Sequence, residues 1–395
     1  MLGFGGITTP MAWRELSEEG KRRWWQLLRE YNLLLHREYP MGARLRSDMS
    51  NLDDPRDATP HYYGDNFPNG EVSDFDYIRQ VRRIGGKVLF EFWDLPPWAA
   101  EPETYARAMV RYCQISKERT GAPPDIVGIQ NERTQPAPVW HEMATRLRRE
   151  LDRAGFRSVK IHMQDASTLA AGIRSANAFR PVWETLDFTA AHMYDYQQFF
   201  TNPDAFDALL TEWSRAARGK PFLSTEISVN NSSWQAAGYR LALVMGELYH
   251  KNLTLANASA LLYCWLLLNV EQPSYGATRS LFVPDTAHGF VPVASSHQLR
   301  VFGAYSRKIQ EGMVRVEAAS SDPDLLVTAF AAANGERTLV LLNRSPRPQR
   351  VTVEWPGKPF RIAEVADPYR ENAGQPPPAG KIPVEPGAVV TLATQ

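Results

Sequence analysis

The stretch IVGIQNERTQ, from Ile126 to Gln135, ends a short apolar run with two amides, a carboxylate and an arginine. Apolar runs of this length are typical of strands buried in a parallel sheet. A carboxylic acid at such a strand end is often only a surface charge, but parallel α/β barrels also place their chemistry there. The elements around this run therefore decide the fold and whether Glu132 is a candidate catalytic acid.

Seven further apolar runs alternate with longer amphipathic segments. With the run that ends at Glu132, they predict eight strands. These strands are residues 2–8, 42–47, 87–94, 125–132, 158–165, 186–194, 221–228 and 258–269. A helix is predicted after the first strand, over 17–35 with Ser17 as its N-cap, and another after the eighth, over 295–312. Eight strand–helix units predict an α/β fold, a (β/α)8 TIM barrel, for residues 1–312.

The pattern changes in the remainder of the chain, residues 313–395. Short strand-like runs follow one another without an intervening helix, and turn residues such as Asn334-Gly335 separate them. Asparagine followed by glycine between two apolar runs is a strong hairpin signal. This part of the sequence predicts a small all-β sandwich domain at the C-terminal end of the barrel.

Composition excludes several classes of partner. Lys+Arg and Asp+Glu both number 44, so the net charge is zero and no basic field exists to bind nucleic acid. No apolar run is long enough to span a membrane. The chain has two cysteines, scattered histidines and no CxxC or HExxH motif, so no metal site is expected. The abrupt opening MLGFGG predicts a secreted or periplasmic protein whose leader is absent, with a cytoplasmic location as the alternative. The oligomeric state stays open.

Two carboxylates stand at predicted strand ends, Glu132 on the fourth strand and Glu226 on the seventh. Across a barrel mouth, two such groups can face one bound molecule, which is what hydrolysis of a glycosidic bond requires. Other polar or aromatic residues at the strand ends are candidates for binding a sugar or supporting the pair. They are Arg44, Asp48, Trp93, Asn131, Asp165, His192, Tyr194 and Trp265. For the tryptophans and His192, ordinary core packing is the alternative.

Seven segments, in this order, resemble the clan A retaining glycoside hydrolases, and among them most closely glycoside hydrolase family 30, the glucosylceramidase and xylanase group. They are GFGGITTPMAW (3–13), ARLRSDMSN (43–51), FEFWDLPPWAAE (90–101), GIQNER (128–133), AHMYD (191–195), LSTEIS (223–228) and VFGAYSRKIQEGMVRVEA (301–318). Arg133 stands where that family usually has proline, which leaves the subfamily and the substrate open.

The resemblance implies a role for each matching residue. Glu132 matches the acid/base and Glu226 the nucleophile, while Asn131 matches the residue that binds the 2-hydroxyl group of the sugar. The glycone-binding residues of that family correspond to Asp48, Trp93 and Trp265 in this sequence. The family's residues that support the nucleophile correspond to Arg44, His192 and Tyr194. Tyr194 is also expected to contact the substrate.

The function predicted from the sequence is therefore a retaining β-glycoside hydrolase acting on a carbohydrate without a cofactor. Two alternatives remain at this point. A transglycosylase would use the same glutamate pair with a sugar in place of water. A carbohydrate-binding barrel without catalysis would have no need of a matched acid and nucleophile.

Overall fold

The computed structural model describes residues 1–8, 10–38, 45–52, 75–93, 96–199, 202–228, 238–267, 280–285, 291–293, 296–367 and 381–394. The first eight strands are parallel and form one sheet. They are β1 (Gly3–Thr8), β2 (Leu33–Glu38), β3 (Lys87–Phe90), β4 (Ile126–Gly128), β5 (Lys160–His162), β6 (Thr189–His192), β7 (Phe222–Ile227) and β8 (Ala258–Leu267). Their order is β5-β4-β3-β2-β1-β8-β7-β6. Bridges from His162 to Phe188 and from Ala166 to Ala191 join the two outer strands and close the barrel.

Helices follow the strands around the outside of the barrel, as the sequence pattern predicts. Those described are α1 (Pro10–Glu15), α2 (Glu18–Glu30), α3 (Phe75–Arg83), α4 (Pro102–Thr120), α5 (Ala137–Arg153), α6 (Leu169–Ala178), α7 (Asp207–Ala217), α8 (Gly238–Thr254) and α9 (His297–Ser306). The hydroxyl group of Ser17 accepts a hydrogen bond from the Gly20 amide, so Ser17 is the predicted N-cap of α2.

The paired glycines of the GFGG segment are required by close backbone contacts. A Cβ atom at Gly5 would lie 1.7 Å from the carbonyl oxygen of Leu35 on β2. At Gly6 it would lie 2.2 Å from the carbonyl oxygen of Tyr263 on β8. Only glycine lets β1 pack this closely between its two neighbours, which explains why the barrel begins with these residues.

The second strand lies earlier in the chain than the sequence pattern predicts. Helix α2 ends at Glu30, and residues 33–38 form β2. Of the predicted strand 42–47, residues 45–47 are not in a strand, and residues 42–44 lie outside the described residues. Asn32 separates the two elements with a left-handed backbone, at φ 52°. Asparagine tolerates this conformation and commonly ends helices there, so the run of leucines after it belongs to a strand rather than to the helix.

The chain after α9 forms antiparallel sheets, which confirms the predicted all-β domain. Five strands form one sheet in the order β11-β12-β13-β17-β15, and β14 pairs with β16. These strands are β11 (Val314–Val316), β12 (Leu325–Ala331), β13 (Arg337–Asn343), β14 (Gln349–Val351), β15 (Phe360–Ala366), β16 (Ile382–Val384) and β17 (Val389–Thr394). A further hairpin, which the sequence reading did not anticipate, pairs β9 (Val283–Asp285) with β10 (Val291–Val293) between β8 and α9.

The C-terminal domain packs directly against the last helices of the barrel. The hydroxyl of Tyr239, on α8, donates to the carbonyl oxygens of Ala366 and Gly387 at 2.8 and 2.9 Å. The hydroxyl of Thr338, on β13, donates to the carbonyl of Lys308 at 2.6 Å. In the part of the chain that the structure describes, no helix combines the length and apolarity needed to cross a membrane.

Candidate active site

Glu132 lies just beyond β4, in a short segment that backbone hydrogen bonds hold in place. Its N–H donates to the carbonyl oxygen of Asp165 at 2.7 Å, and the Asp165 N–H donates to the carbonyl of Gln130 at 3.1 Å. Gln130 and Glu132 both have positive φ angles, 80° and 48°. This conformation costs a non-glycine residue free energy and persists only where the surroundings hold it. The fold therefore fixes the direction in which Asn131 and Glu132 leave the barrel.

Glu226 lies near the end of β7, and its carboxylate is surrounded by donors. Arg37 Nη1 donates to Oε1, and the hydroxyl of Tyr194 donates to Oε2 at 2.5 Å. Burial alone would raise the pKa of Glu226, but the positive charges of His192 and Arg37 and the hydrogen bond from Tyr194 lower it below its usual value. Glu226 is therefore ionised at neutral pH.

The two glutamates lie close together but in different surroundings. One carboxylate oxygen of Glu132 lies within 4.8 Å of one oxygen of Glu226. The Glu132 side chain is 36% exposed, whereas that of Glu226 is 6% exposed. The site thus pairs an acid that solvent can reach with a carboxylate that is shielded from solvent.

His192, at the end of β6, lies between the two glutamates. Its Nδ1 donates to Glu132 Oε1 at 2.7 Å, and its Nε2 lies 3.5 Å from Glu226 Oε1. Burial would lower the pKa of His192, but the negative charges of Glu226 and the nearby Asp165 and the hydrogen bond to Glu132 outweigh it and raise the pKa to about 10. The buried ring is therefore an imidazolium that balances part of the negative charge of the site.

The arginine that contacts Glu226 is Arg37, which the sequence analysis did not single out. Arg44, the predicted support, lies outside the described residues. Because the second strand begins at Leu33, Arg37 is the strand-end arginine and is only 1% exposed. Its Nη2 donates to Asn131 Oδ1 at 2.6 Å. Asn32, by ending the preceding helix, is the sequence signal that would have placed this strand correctly.

Three fully buried titratable residues, Glu91, His162 and Asp165, lie beneath this layer. Arg37 Nε donates to Glu91 Oε1 at 2.5 Å. Asp165 Oδ1 accepts from the hydroxyl of Thr225 at 2.8 Å, and its Oδ2 lies 3.5 Å from Arg37 Nη2. Asp165, expected to have a supporting role, therefore contacts both β7, through Thr225, and β2, through Arg37. Glu91 was missed, although a charged residue between Phe90 and Phe92 in an apolar strand was a visible signal.

The remaining residues predicted to bind a sugar include one amide, Asn131, and two aromatic rings, Trp93 and Trp265. Asn131 is buried, and its Nδ2 has no hydrogen-bond acceptor among the described residues, so it can bind a hydroxyl group. Trp93 and Trp265 lie with ring centroids 6.0 Å apart. Trp265 is almost fully buried and Trp93 half-buried, so Trp93 offers the more accessible ring.

Asp48 is placed differently from the other candidates. Its carboxylate accepts a hydrogen bond from the Ser50 amide at 2.9 Å, and the residue is exposed. None of the described contacts joins Asp48 to Glu132 or Glu226. Its predicted contact with a sugar therefore stays a prediction.

A cavity of about 290 Å³ opens beside Glu132, on the side formed by α5 and α6. Its lining includes Gln135, Trp140, Ala171 and Arg174, but not Glu226. A molecule in this cavity would touch the exposed glutamate and not the buried one. The cavity therefore adjoins only one member of the glutamate pair.

Glu132, His192 and Glu226 each offer one potential metal-ligand atom, and these atoms lie within 4.8 Å of one another. A histidine binds a metal through an unprotonated ring nitrogen. His192 Nδ1 already donates to Glu132 Oε1. Arg37 and Tyr194 donate to the two oxygens of Glu226, so a metal ion would have to displace hydrogen bonds at this group. This group of residues therefore does not favour a metal ion.

A closed parallel barrel with facing glutamates beyond β4 and on β7, followed by an antiparallel β domain, has the architecture implied by the resemblance to clan A glycoside hydrolases. The comparisons with known proteins agree with this class. Residues 312–392 match the family model "Glycosyl hydrolase family 30 beta sandwich domain". A search of curated protein sequences finds no match.

Solved structures of similar fold extend the likeness to the barrel. The catalytic domain of GH30 xylanase C from Talaromyces cellulolyticus is 16% identical, with a TM-score of 0.76, and the match covers 100% of this chain and 97% of that one. SrfJ from Salmonella typhimurium is 18% identical, with a TM-score of 0.72 and coverage of 100% and 90%. The endo-beta1,6-glucanase BT3312 is 16% identical, with a TM-score of 0.68 and coverage of 100% and 91%. The predicted resemblance to glycoside hydrolase family 30 is confirmed in the sandwich sequence and in the fold of the whole chain.

Proposed function

We propose that this protein is a retaining β-glycoside hydrolase in which Glu226 is the nucleophile and Glu132 the acid/base. The observation that carries the proposal is the distance below 4.8 Å between oxygens of the two carboxylates. Retaining enzymes hold their carboxyl groups about 5–5.5 Å apart, whereas inverting enzymes leave about 6.5–9.5 Å for a water molecule.

The surroundings of each glutamate support its role. Arg37 and Tyr194 keep Glu226 ionised and aim its oxygens, so Glu226 attacks the anomeric carbon. Glu132 protonates the leaving oxygen and then removes a proton from water, which releases the sugar with its β configuration. His192 holds one oxygen of Glu132 and leaves the other for the glycosidic oxygen.

A substrate panel tests the proposal. Among proteins of similar fold, one is named a xylanase and another an endo-beta1,6-glucanase. The panel therefore includes xylan, β-1,6-glucan, other β-glucans and aryl β-glycosides, with proton NMR of the first product formed. Release of a β-anomer supports the retaining mechanism. Release of an α-anomer excludes it, and binding by calorimetry without turnover on any substrate favours a non-catalytic barrel. Transfer to an added sugar in preference to water favours the transglycosylase.

The cavity beside Glu132 is proposed to receive the leaving group, because the proton donor must contact the leaving oxygen. Replacing Ala171 with tryptophan narrows this cavity from α6. We expect kcat/KM on an oligosaccharide to fall about tenfold or more, since a sugar excluded from its subsite loses its contact free energy. The matched control is Ala170→Trp, on the same helix but outside the cavity lining. Equal losses in the two variants would mean that the leaving group binds elsewhere.

The pH dependence of the rate should depend on Tyr194. Glu226 must be ionised to attack, and its pKa is lowered, so the acid limb of kcat/KM should lie below the ordinary carboxylate range. Tyr194→Phe removes one hydrogen bond that stabilises the carboxylate, so the pKa rises and the acid limb moves to higher pH. Measured pH–rate profiles for the two proteins check this. An unchanged acid limb in Tyr194→Phe would show that the limb belongs to another group.

A further inference from the structure

Two fully buried carboxyl groups lie close together beneath the candidate active site. Glu91 and Asp165 are each 0% exposed, and one oxygen of each lies within 4.8 Å of one oxygen of the other. Two ionised carboxylates at this distance, shielded from water, repel each other, and a proton on one of them removes the repulsion. Full burial and this short separation therefore favour one proton shared by the pair.

The other contacts of the pair use one oxygen of each carboxyl group. Glu91 Oε1 accepts from Arg37, and Asp165 Oδ1 accepts from Thr225. The remaining oxygens, Glu91 Oε2 and Asp165 Oδ2, have no hydrogen-bond donor among the described side chains and backbone groups. A proton placed between them satisfies both, and without it each would be a buried acceptor lacking a partner.

The charges around the pair place this proton on Glu91. Asp165 Oδ2 lies 3.5 Å from Arg37 Nη2 and 3.8 Å from His192 Nε2, so two cations stabilise its negative charge. Among the described residues, Arg37 is the only cation that forms an ion pair with Glu91, and Arg37 also contacts Glu226. With Glu91 neutral, the two buried cations balance the carboxylates of Asp165 and Glu226. Ionised Glu91 would add an uncompensated charge to the interior, which is costly.

We propose that Glu91 is a positioning residue whose neutral carboxyl group donates to Asp165 and accepts from Arg37, and so holds Arg37 against Glu226. The role rests on the function proposed above. Burial raises the pKa of Glu91 well above its usual value, and the neighbouring Asp165 charge adds to this effect against the lowering by Arg37. Glu91 acts on the reaction only through Arg37 and does not touch the substrate.

A metal ion is the competing explanation for this cluster, since His162 also places a ligand atom within 4.8 Å of both carboxylates. Arg37 argues against it, because a divalent cation between Glu91 and Asp165 would lie beside a buried guanidinium. The space is also narrow. Gly128 approaches so closely that a Cβ atom there would lie 2.3 Å from His162 Nε2 and 3.0 Å from Glu91 Oε2.

Two substitutions at Glu91 separate the hypotheses. Glu91→Gln keeps a donor toward Asp165 and an acceptor toward Arg37, so kcat/KM and the acid limb of the pH profile should stay close to wild type. Glu91→Leu keeps most of the volume and loses both hydrogen bonds. We expect kcat to fall about 10- to 100-fold, the range for losing one charge-assisted hydrogen bond, with little change in KM and an acid limb at higher pH. Glu247→Gln, at another buried glutamate on α8, controls for the effect of the substitution on folding.

A second measurement does not depend on catalysis. The infrared spectrum of the wild-type protein at neutral pH should contain a carbonyl band of a protonated carboxyl group that Glu91→Gln lacks. Absence of that difference would overturn the inference and leave the proposed hydrolase intact. Loss of activity in Glu91→Gln equal to that in Glu91→Leu, or a stoichiometric metal in the purified protein, would also overturn it. If no glycoside is cleaved, the infrared band still decides the protonation of Glu91.

Discussion

Glu226→Ala is expected to lower kcat/KM by about 10⁴-fold or more on every β-glycoside that the protein cleaves, whatever the leaving group. Without this carboxylate no covalent glycosyl–enzyme can form, and a better leaving group cannot replace the missing nucleophile. Rates on aryl β-glycosides with phenols of different acidity measure the effect. Comparable losses across the whole series are the expected result.

The variant also needs a test of folding, because Glu226→Ala leaves the buried Arg37 without one of its anions. Glu226→Gln keeps the volume and accepts hydrogen bonds, so it should fold normally and still lose activity. Azide, which fits the space left by alanine, should attack the substrate directly in Glu226→Ala and give an α-glycosyl azide. Near-normal turnover in Glu226→Gln, or a β-glycosyl azide from Glu226→Ala, would remove Glu226 as the nucleophile.

Glu132→Ala is expected to have an effect that depends on the leaving group. A strongly acidic phenol departs without protonation, so glycosylation of the enzyme by such a substrate should survive. Cleavage of a natural sugar–sugar bond should fall by about 10²- to 10⁴-fold, the usual contribution of general acid catalysis. Stopped-flow measurement should show a burst of phenol followed by slow turnover, because no base activates water in the second step.

Azide distinguishes this variant from the previous one. It needs no base, so it should restore turnover in Glu132→Ala and give a β-glycosyl azide from the covalent intermediate. Glu142→Ala, at an exposed glutamate on the neighbouring α5, is the matched control and should behave as wild type. An α-glycosyl azide from Glu132→Ala, or equal losses on good and poor leaving groups, would contradict the assignment of Glu132.

The amino-acid sequence predicted the positions of seven of the eight barrel strands. Strands one and three to eight all lie within their predicted segments, because burial on both faces produces short apolar runs that are local in the chain. The prediction of the second strand was wrong because the segment LLREYNLLL continues a helical spacing of apolar residues through Asn32. Because the strand was placed too late in the chain, Arg44 was predicted to support the nucleophile instead of Arg37.

Glu132, Asn131, His192, Tyr194 and Glu226 could be selected from the sequence, because each lies at or just beyond the end of a barrel strand, and the ends of parallel strands meet at one mouth. That argument brings candidates to the same region but does not pair them. The hydroxyl of Tyr194 on Glu226 and the ring of His192 between the two glutamates appear only in the folded chain. The catalytic roles of these residues stay proposals until the substitutions are measured.

The sequence by itself determined the fold class and the strand ends that carry the glutamates, since both follow from hydrophobic periods of a few residues. Only the tertiary structure decided which charges meet. Arg37 and Glu226 are 189 positions apart, and Arg37 and Glu91 are 54 apart. No local pattern specifies such contacts, because they depend on how adjacent and opposite strands align around the barrel. The pKa values of Glu91, His192 and Glu226 depend in turn on burial and on neighbours that the closed barrel supplies.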